Sequence, residues 1–188
     1  MAAGEAGPEA DPESVARLIC LRLLTAAPRT RAQLADALRR RGVPDEAATV
    51  VLSRFAEVGL IDDVMFASAW VESRHHGRGL GRRALTAELG RRGVSRADID
   101  AAVSRLSPEQ ERATALALVE RRLAGTAGQP VQARVRRLAG LLARKGYPAG
   151  LAYQVVREAL DAEAVRRGEP SLGEFVADGE MPEDECWG

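Results

Sequence analysis

His75 and His76 stand side by side ahead of a glycine run, Gly77-Arg78-Gly79-Leu80-Gly81. Metal or nucleotide chemistry would be sought there first. Neighbouring residues on a helix point about 100° apart, and no cysteine or spaced acid lies near enough to complete a metal site. The glycine run resembles a dinucleotide fingerprint, but it follows no strand and lacks the Lys-Ser/Thr ending of a phosphate loop. The expected structure is a solvated helix end followed by a flexible connection. No converging set of titratable groups appears elsewhere, so neither an enzyme, a cofactor nor a metal ligand is expected.

Anion binding is better supplied. The glycine run leads into Arg82 and Arg83 at the start of RRALTAELGRR, which ends in Arg91 and Arg92. Backbone N–H groups at a helix start, with guanidinium groups at both ends, suit phosphates or carboxylates. Basic clusters recur at Arg39, Arg40 and Arg41, at Arg91 and Arg92, and at Arg144 and Lys145. The formal net charge of zero conceals this pattern. Residues 14–160 carry 25 bases against 14 acids, residues 1–13 four acids and no base, and residues 161–188 nine acids against two bases. A basic body with acidic ends points to a polyanionic partner.

The clusters sit at matching points of a repeat. LADALRRRG from Leu34, LTAELGRRG from Leu85 and LAGLLARKG from Leu138 can be superimposed, which places Gly42, Gly93 and Gly146 51 and 53 residues apart. Each glycine follows a helix whose last turn is cationic, where a left-handed residue and dipole compensation are both favoured. Ser14 is expected to cap the first helix. Thr30 with Gln33 and Ser107 with Gln110 form capping boxes, Asp45 opens a helix that Gly59 closes, and no long segment alternates like a strand. An Ala-rich chain with only seven aromatic residues favours close-packed helices. The expected fold is therefore all-α: three tandem three-helix repeats at 14–62, 63–106 and 107–161, forming an elongated, curved rod between acidic tails at 1–13 and 162–188.

In the middle repeat, DDVMFASAWVESR is expected to be a helix capped by Asp62. Phe66 and Trp70 would anchor its core, the Trp70 indole lying at an edge, with the two aspartates and Arg74 on the rim. The pattern DD-x-x-FA-x-x-WV-x-x-R, a G-x-G-containing basic loop, then EL and GV resembles the RecX family of recombination regulators. The matching positions are Asp62, Asp63, Phe66, Ala67, Trp70, Val71, Arg74, Gly79, Glu88, Leu89, Gly93 and Val94. That resemblance implies a small cytoplasmic protein without catalysis, bound in the groove of the RecA recombinase filament on single-stranded or double-stranded DNA. It would restrain ATP hydrolysis, strand exchange and DNA-damage signalling. The acidic extensions depart from the family's core pattern.

The contact surface is expected to include Arg39, Arg40, Arg41, Trp70, Arg74, Arg82, Arg83, Arg91, Arg92, Arg144 and Lys145. A monomer suffices for this reading. No apolar run approaches the ~20 residues needed to span a bilayer, the first residues lack a signal-peptide pattern, and two cysteines suit a reducing compartment. The alternative is a winged helix-turn-helix in PRTRAQLADALRRRGVPDEAATVVLSRFAEVGLIDD, making a sequence-specific DNA binder.

Overall fold

The computed structural model describes residues 11–168; the outer parts of both acidic tails, including Cys186, lie outside them. Among these described residues, nine α-helices follow one another in three sets of three, with one 3-10 turn after the seventh. They are α1 (Pro12–Ala26), α2 (Arg31–Arg39), α3 (Asp45–Glu57), α4 (Asp63–Arg78), α5 (Arg82–Arg91), α6 (Arg96–Ser104), α7 (Pro108–Leu123), α8 (Val131–Arg144) and α9 (Ala149–Arg167). No strand occurs among the described residues. Where a wing would follow GLID, α4 begins at once.

Local chemistry sets the helix ends. Asp11, rather than Ser14, caps α1: its carboxylate accepts from the Ser14 backbone N–H at 3.0 Å and from the Ser14 hydroxyl at 2.8 Å. Pro12 takes the first helical position, where a missing N–H costs nothing. Those bonds hold the Asp11 carboxyl below its usual value, the hydroxyl bond contributing most. Residues 12, 13 and 162–167, assigned by sequence to the tails, are therefore helical. The capping boxes at Thr30–Gln33 and Ser107–Gln110 are both formed. Asp62 caps α4 through the Met65 N–H at 2.8 Å. Gly42, Gly93 and Gly146 adopt φ of 73°, 76° and 86°, the left-handed turn expected after each cationic helix end.

The chain divides into two compact units inside the middle set of helices. One comprises residues up to Ser73 together with Thr86–Arg105. Its main core is Cys20, Leu34, Leu38, Val51, Leu52, Phe55 and Ile61, from α1, α2, α3 and the turn beyond. The other comprises Arg74–Leu85 and the residues from Leu106 onward. There Val119, Leu138, Leu142, Tyr147, Val155 and Val156 close the core of α7, α8 and α9.

Alanine-rich faces let these helices approach closely. On α4 the buried positions are Ala67, Val71 and His75, successive turns apart, while Phe66 and Trp70 are only half-buried and Met65 is 65% exposed. The aromatics thus flank the core instead of anchoring it, because the small residues take the closest approach.

Candidate functional site

Two joints of the same design connect successive repeats. In the first unit, the left-handed Gly93 lies against Ala32 at the start of α2, where any Cβ would collide with the Ala32 methyl. The Thr30 hydroxyl donates to the Arg92 carbonyl at 2.6 Å, and the Arg31 N–H donates to Asp63 Oδ1 at 2.9 Å. In the second unit, Gly146 lies against the backbone of Ala84 in α5. The Gly81 N–H donates to the Lys145 carbonyl at 2.8 Å, and the Arg83 N–H to the Gly146 carbonyl at 3.2 Å. The Arg82 N–H donates to Glu111 Oε1 at 3.0 Å.

Arg31 and Arg82 each lie three residues before their register leucine, Leu34 and Leu85. In both joints a carboxylate from the next repeat's first helix therefore caps the first N–H of the previous repeat's second helix. This geometry removes the expected anion site at the start of α5: its first donor is already satisfied by Glu111. Arg82 also spends its side chain there, with Nε 3.0 Å from Glu111 Oε2 and Nη2 donating to the Leu106 carbonyl. Lys145 is similarly engaged, its Nζ donating to the Arg78 carbonyl at 2.6 Å.

The glycine run is packed, not a loose connection. A Cβ on Gly81 would lie 2.8 Å from the Gly146 carbonyl oxygen, and Gly79, with φ of 62°, lies against Leu118. The buried Tyr147 hydroxyl donates to the Gly79 carbonyl at 3.1 Å. Burial, with a smaller contribution from the Glu111 charge, pushes the Tyr147 phenol above its usual value. His75, expected in solvent, is 1% exposed. Its Nδ1 lies 2.9 Å from the Leu80 carbonyl and its Nε2 2.8 Å from the Thr114 hydroxyl. A carbonyl can only accept, so Nδ1 carries a proton and donates to Leu80, and the Thr114 hydroxyl, able to donate or accept, pairs with Nε2. Among the described residues no group of His, Cys, Asp or Glu could hold a metal ion.

The expected contact residues fall into distinct environments. Trp70 stacks on Phe66 with ring centroids 5.7 Å apart, lies beneath the Arg92 guanidinium at 3.6 Å, and donates its indole N–H to Glu88 at 2.9 Å. Both Trp70 and Arg92 are thus built into the first unit. Arg74 is half-buried on α4, whereas Arg83, Arg91 and Arg144 are exposed. Arg39 and Arg40 pair with Asp36 at 2.7 and 3.7 Å and stay largely exposed, while Arg41 donates to the Ala37 carbonyl at 3.0 Å. Surface pairs of this kind are weak, worth about 0–1 kcal/mol, so these guanidinium groups can exchange partners.

The third repeat differs at its receiving end. Leu34 and Leu85 are the fourth residues of α2 and α5, but Leu138 is the eighth of α8. Arg134, on the added turn, is buried in an ion pair with Glu163 of α9, and its Nε donates to the Thr126 hydroxyl at 3.1 Å.

Three family models match the chain in order. The first three-helix domain of RecX covers residues 16–55, the second 62–103 and the third 109–156. The chain belongs to the RecX family. A protein of Thermobifida fusca called Regulatory protein RecX is 64% identical over 168 residues, which are 89% of this chain and 90% of that one. Its namesake in Streptomyces lividans is 64% identical over 156 residues, 83% of each chain. In Mycolicibacterium smegmatis a protein of the same name is 47% identical over 160 residues, 82% of this chain and 85% of its own. The crystal structure of RecX from Lactobacillus salivarius shares the fold with a TM-score of 0.75 at 17% identity, covering 80% of this chain and 98% of that one.

The matched RecX domains contain both joints. Asp63 and Glu111 were missed by sequence reasoning as joint residues. Asp63 was read as rim decoration, and Glu111 lies behind the capping box that drew attention to Ser107. A carboxylate three residues before nothing obvious carries no local signal when its partner is a backbone N–H 29 or 32 residues away.

Proposed function

We propose that this chain binds the RecA recombinase filament on DNA and restrains its ATP hydrolysis, strand exchange and DNA-damage signalling, acting in the cytoplasm without catalysis. Membership of the RecX family across all three helical domains carries this reading. The surface chemistry supports it: arginines at Arg39, Arg40, Arg83, Arg91 and Arg144 remain exposed after the joints have taken Arg82 and Lys145. Such groups suit phosphate oxygens and carboxylates, both abundant on a nucleoprotein filament. Repeated weak contacts along one chain raise affinity through effective concentration.

The test is recombinase ATPase on single-stranded DNA, with this protein added below one copy per protomer. Inhibition is expected. Arg91→Glu, which alters no joint contact, should raise the concentration for half-inhibition about tenfold and weaken its salt dependence, with helix content unchanged. A wild-type protein that leaves ATPase untouched would refute the reading.

A further inference from the structure

We propose that the cleft between α1 and α2 is a phosphate site that holds the backbone of single-stranded nucleic acid. This rests on the filament reading above and names where the nucleic acid is touched.

The cleft has a volume of about 380 Å³ and is lined by Leu23, Arg29, Gln33, Asp36, Ala37, Arg40 and Arg41. That lies at the lower end of the roughly 300–1,000 Å³ typical of small-ligand sites. Three arginines line it from two backbone segments, the α1–α2 connection and the C-terminal end of α2. The single acid, Asp36, is already neutralised by Arg39 at 2.7 Å and Arg40 at 3.7 Å. Arg29 is half-buried, and its Nε has no hydrogen-bond partner among the described residues.

The chemistry favours phosphate over carboxylate. A carboxylate accepts within one plane, and Asp36 here already pairs with Arg39 and Arg40. Phosphate directs oxygens tetrahedrally and can meet donors from several sides of a cleft, and Arg29, Arg40 and Arg41 all line this one. The half-buried Leu23 side chain provides apolar surface for the adjoining sugar. Sequence reading placed Arg40 and Arg41 on a contact surface but overlooked Arg29, which sits outside the repeated clusters.

The experiment titrates the full chain into fluorescein-labelled oligothymidylate over a salt series, and in parallel measures inhibition of recombinase ATPase. Arg29→Gln combined with Arg41→Gln should weaken oligonucleotide binding about tenfold and lower the log–log salt slope by about 0.7, one single-strand phosphate. Arg122→Gln, an exposed arginine on α7 outside the cleft, should change the affinity less than twofold. Arg40→Gln, at a 70% exposed side chain, provides a variant whose folding is not at issue and should lower affinity in the same direction. Unchanged affinity and slope in these variants, or no oligonucleotide binding by the wild type, overturns the proposal. Lost ATPase inhibition with intact oligonucleotide binding also overturns it, assigning the cleft to a carboxylate of the recombinase and sparing the filament reading. Failure of wild-type inhibition alone refutes that reading, while the oligonucleotide arm still decides the cleft.

Discussion

Trp70 stacks on Phe66, lies under the Arg92 cation and donates a hydrogen bond to Glu88. A partly desolvated cation–π pair is worth about 1–2 kcal/mol, and the hydrogen bond to a charged acceptor about 1.5–3. A double-mutant cycle with Trp70→Phe and Arg92→Gln, read by urea denaturation, should therefore give a coupling of about 1 kcal/mol. Additive losses would show that Arg92 merely rests on the ring. Asp63 offers a pH-dependent test. Burial raises its pKa, aided by Asp98 and Asp62 and opposed by the Arg31 N–H and the Arg31 charge. A raised carboxyl contributes stability that is complete below its unfolded value and lost as pH rises through the folded value. Asp63→Asn keeps an acceptor for the Arg31 N–H without the charge. Its stability relative to wild type should therefore be greatest near neutral pH and fall on acidification through the usual carboxylate range and just above it.

Between helices, the joints make glycine positions unequal. Gly42, Gly93 and Gly146 share the left-handed conformation, so alanine costs each about 1–2 kcal/mol from backbone strain. Nothing lies within 4 Å of a Cβ on Gly42, whereas Gly93 and Gly146 are pressed against Ala32 and Ala84. Gly146→Ala should therefore cost at least about 2 kcal/mol more than Gly42→Ala in chemical denaturation. Equal losses would mean that the joint yields freely. The same contrast explains what the sequence could and could not disclose. Helix ends, both capping boxes and the three glycines were legible because their causes are local: a cap, a dipole, a positive φ. The role of Phe66 was misjudged because periodicity identifies an apolar face but not its closest point of approach, which fell to Ala67 and Val71. His75 was misplaced because its partners, Leu80 and Thr114, belong to the turn and to α7. Arg82 looked like a ligand residue until folding gave it Glu111.

For the whole chain, charge is divided by position. Beyond Gly168 there are seven acids and no base. Ending the chain after Gly168 changes the formal net charge from 0 to +7, which should tighten binding to oligothymidylate at low salt and steepen its salt dependence. Unaltered affinity would mean that those acids do not screen the basic body. No helix among the described residues is long and apolar enough to cross a membrane. One asymmetry bears on how such a chain could be lengthened. Among the described residues nothing lies within 4 Å of a Cβ on Gly42, so that bend is not pressed on a receiving helix as Gly93 and Gly146 are. At the other end α8 starts a full turn early and Arg134 is locked to Glu163, with Arg136 and Arg137 where the receiving positions would be. A fourth module grafted downstream would therefore meet bulk and charge that the first two receiving helices lack, and a glycine-sized joint would not close there.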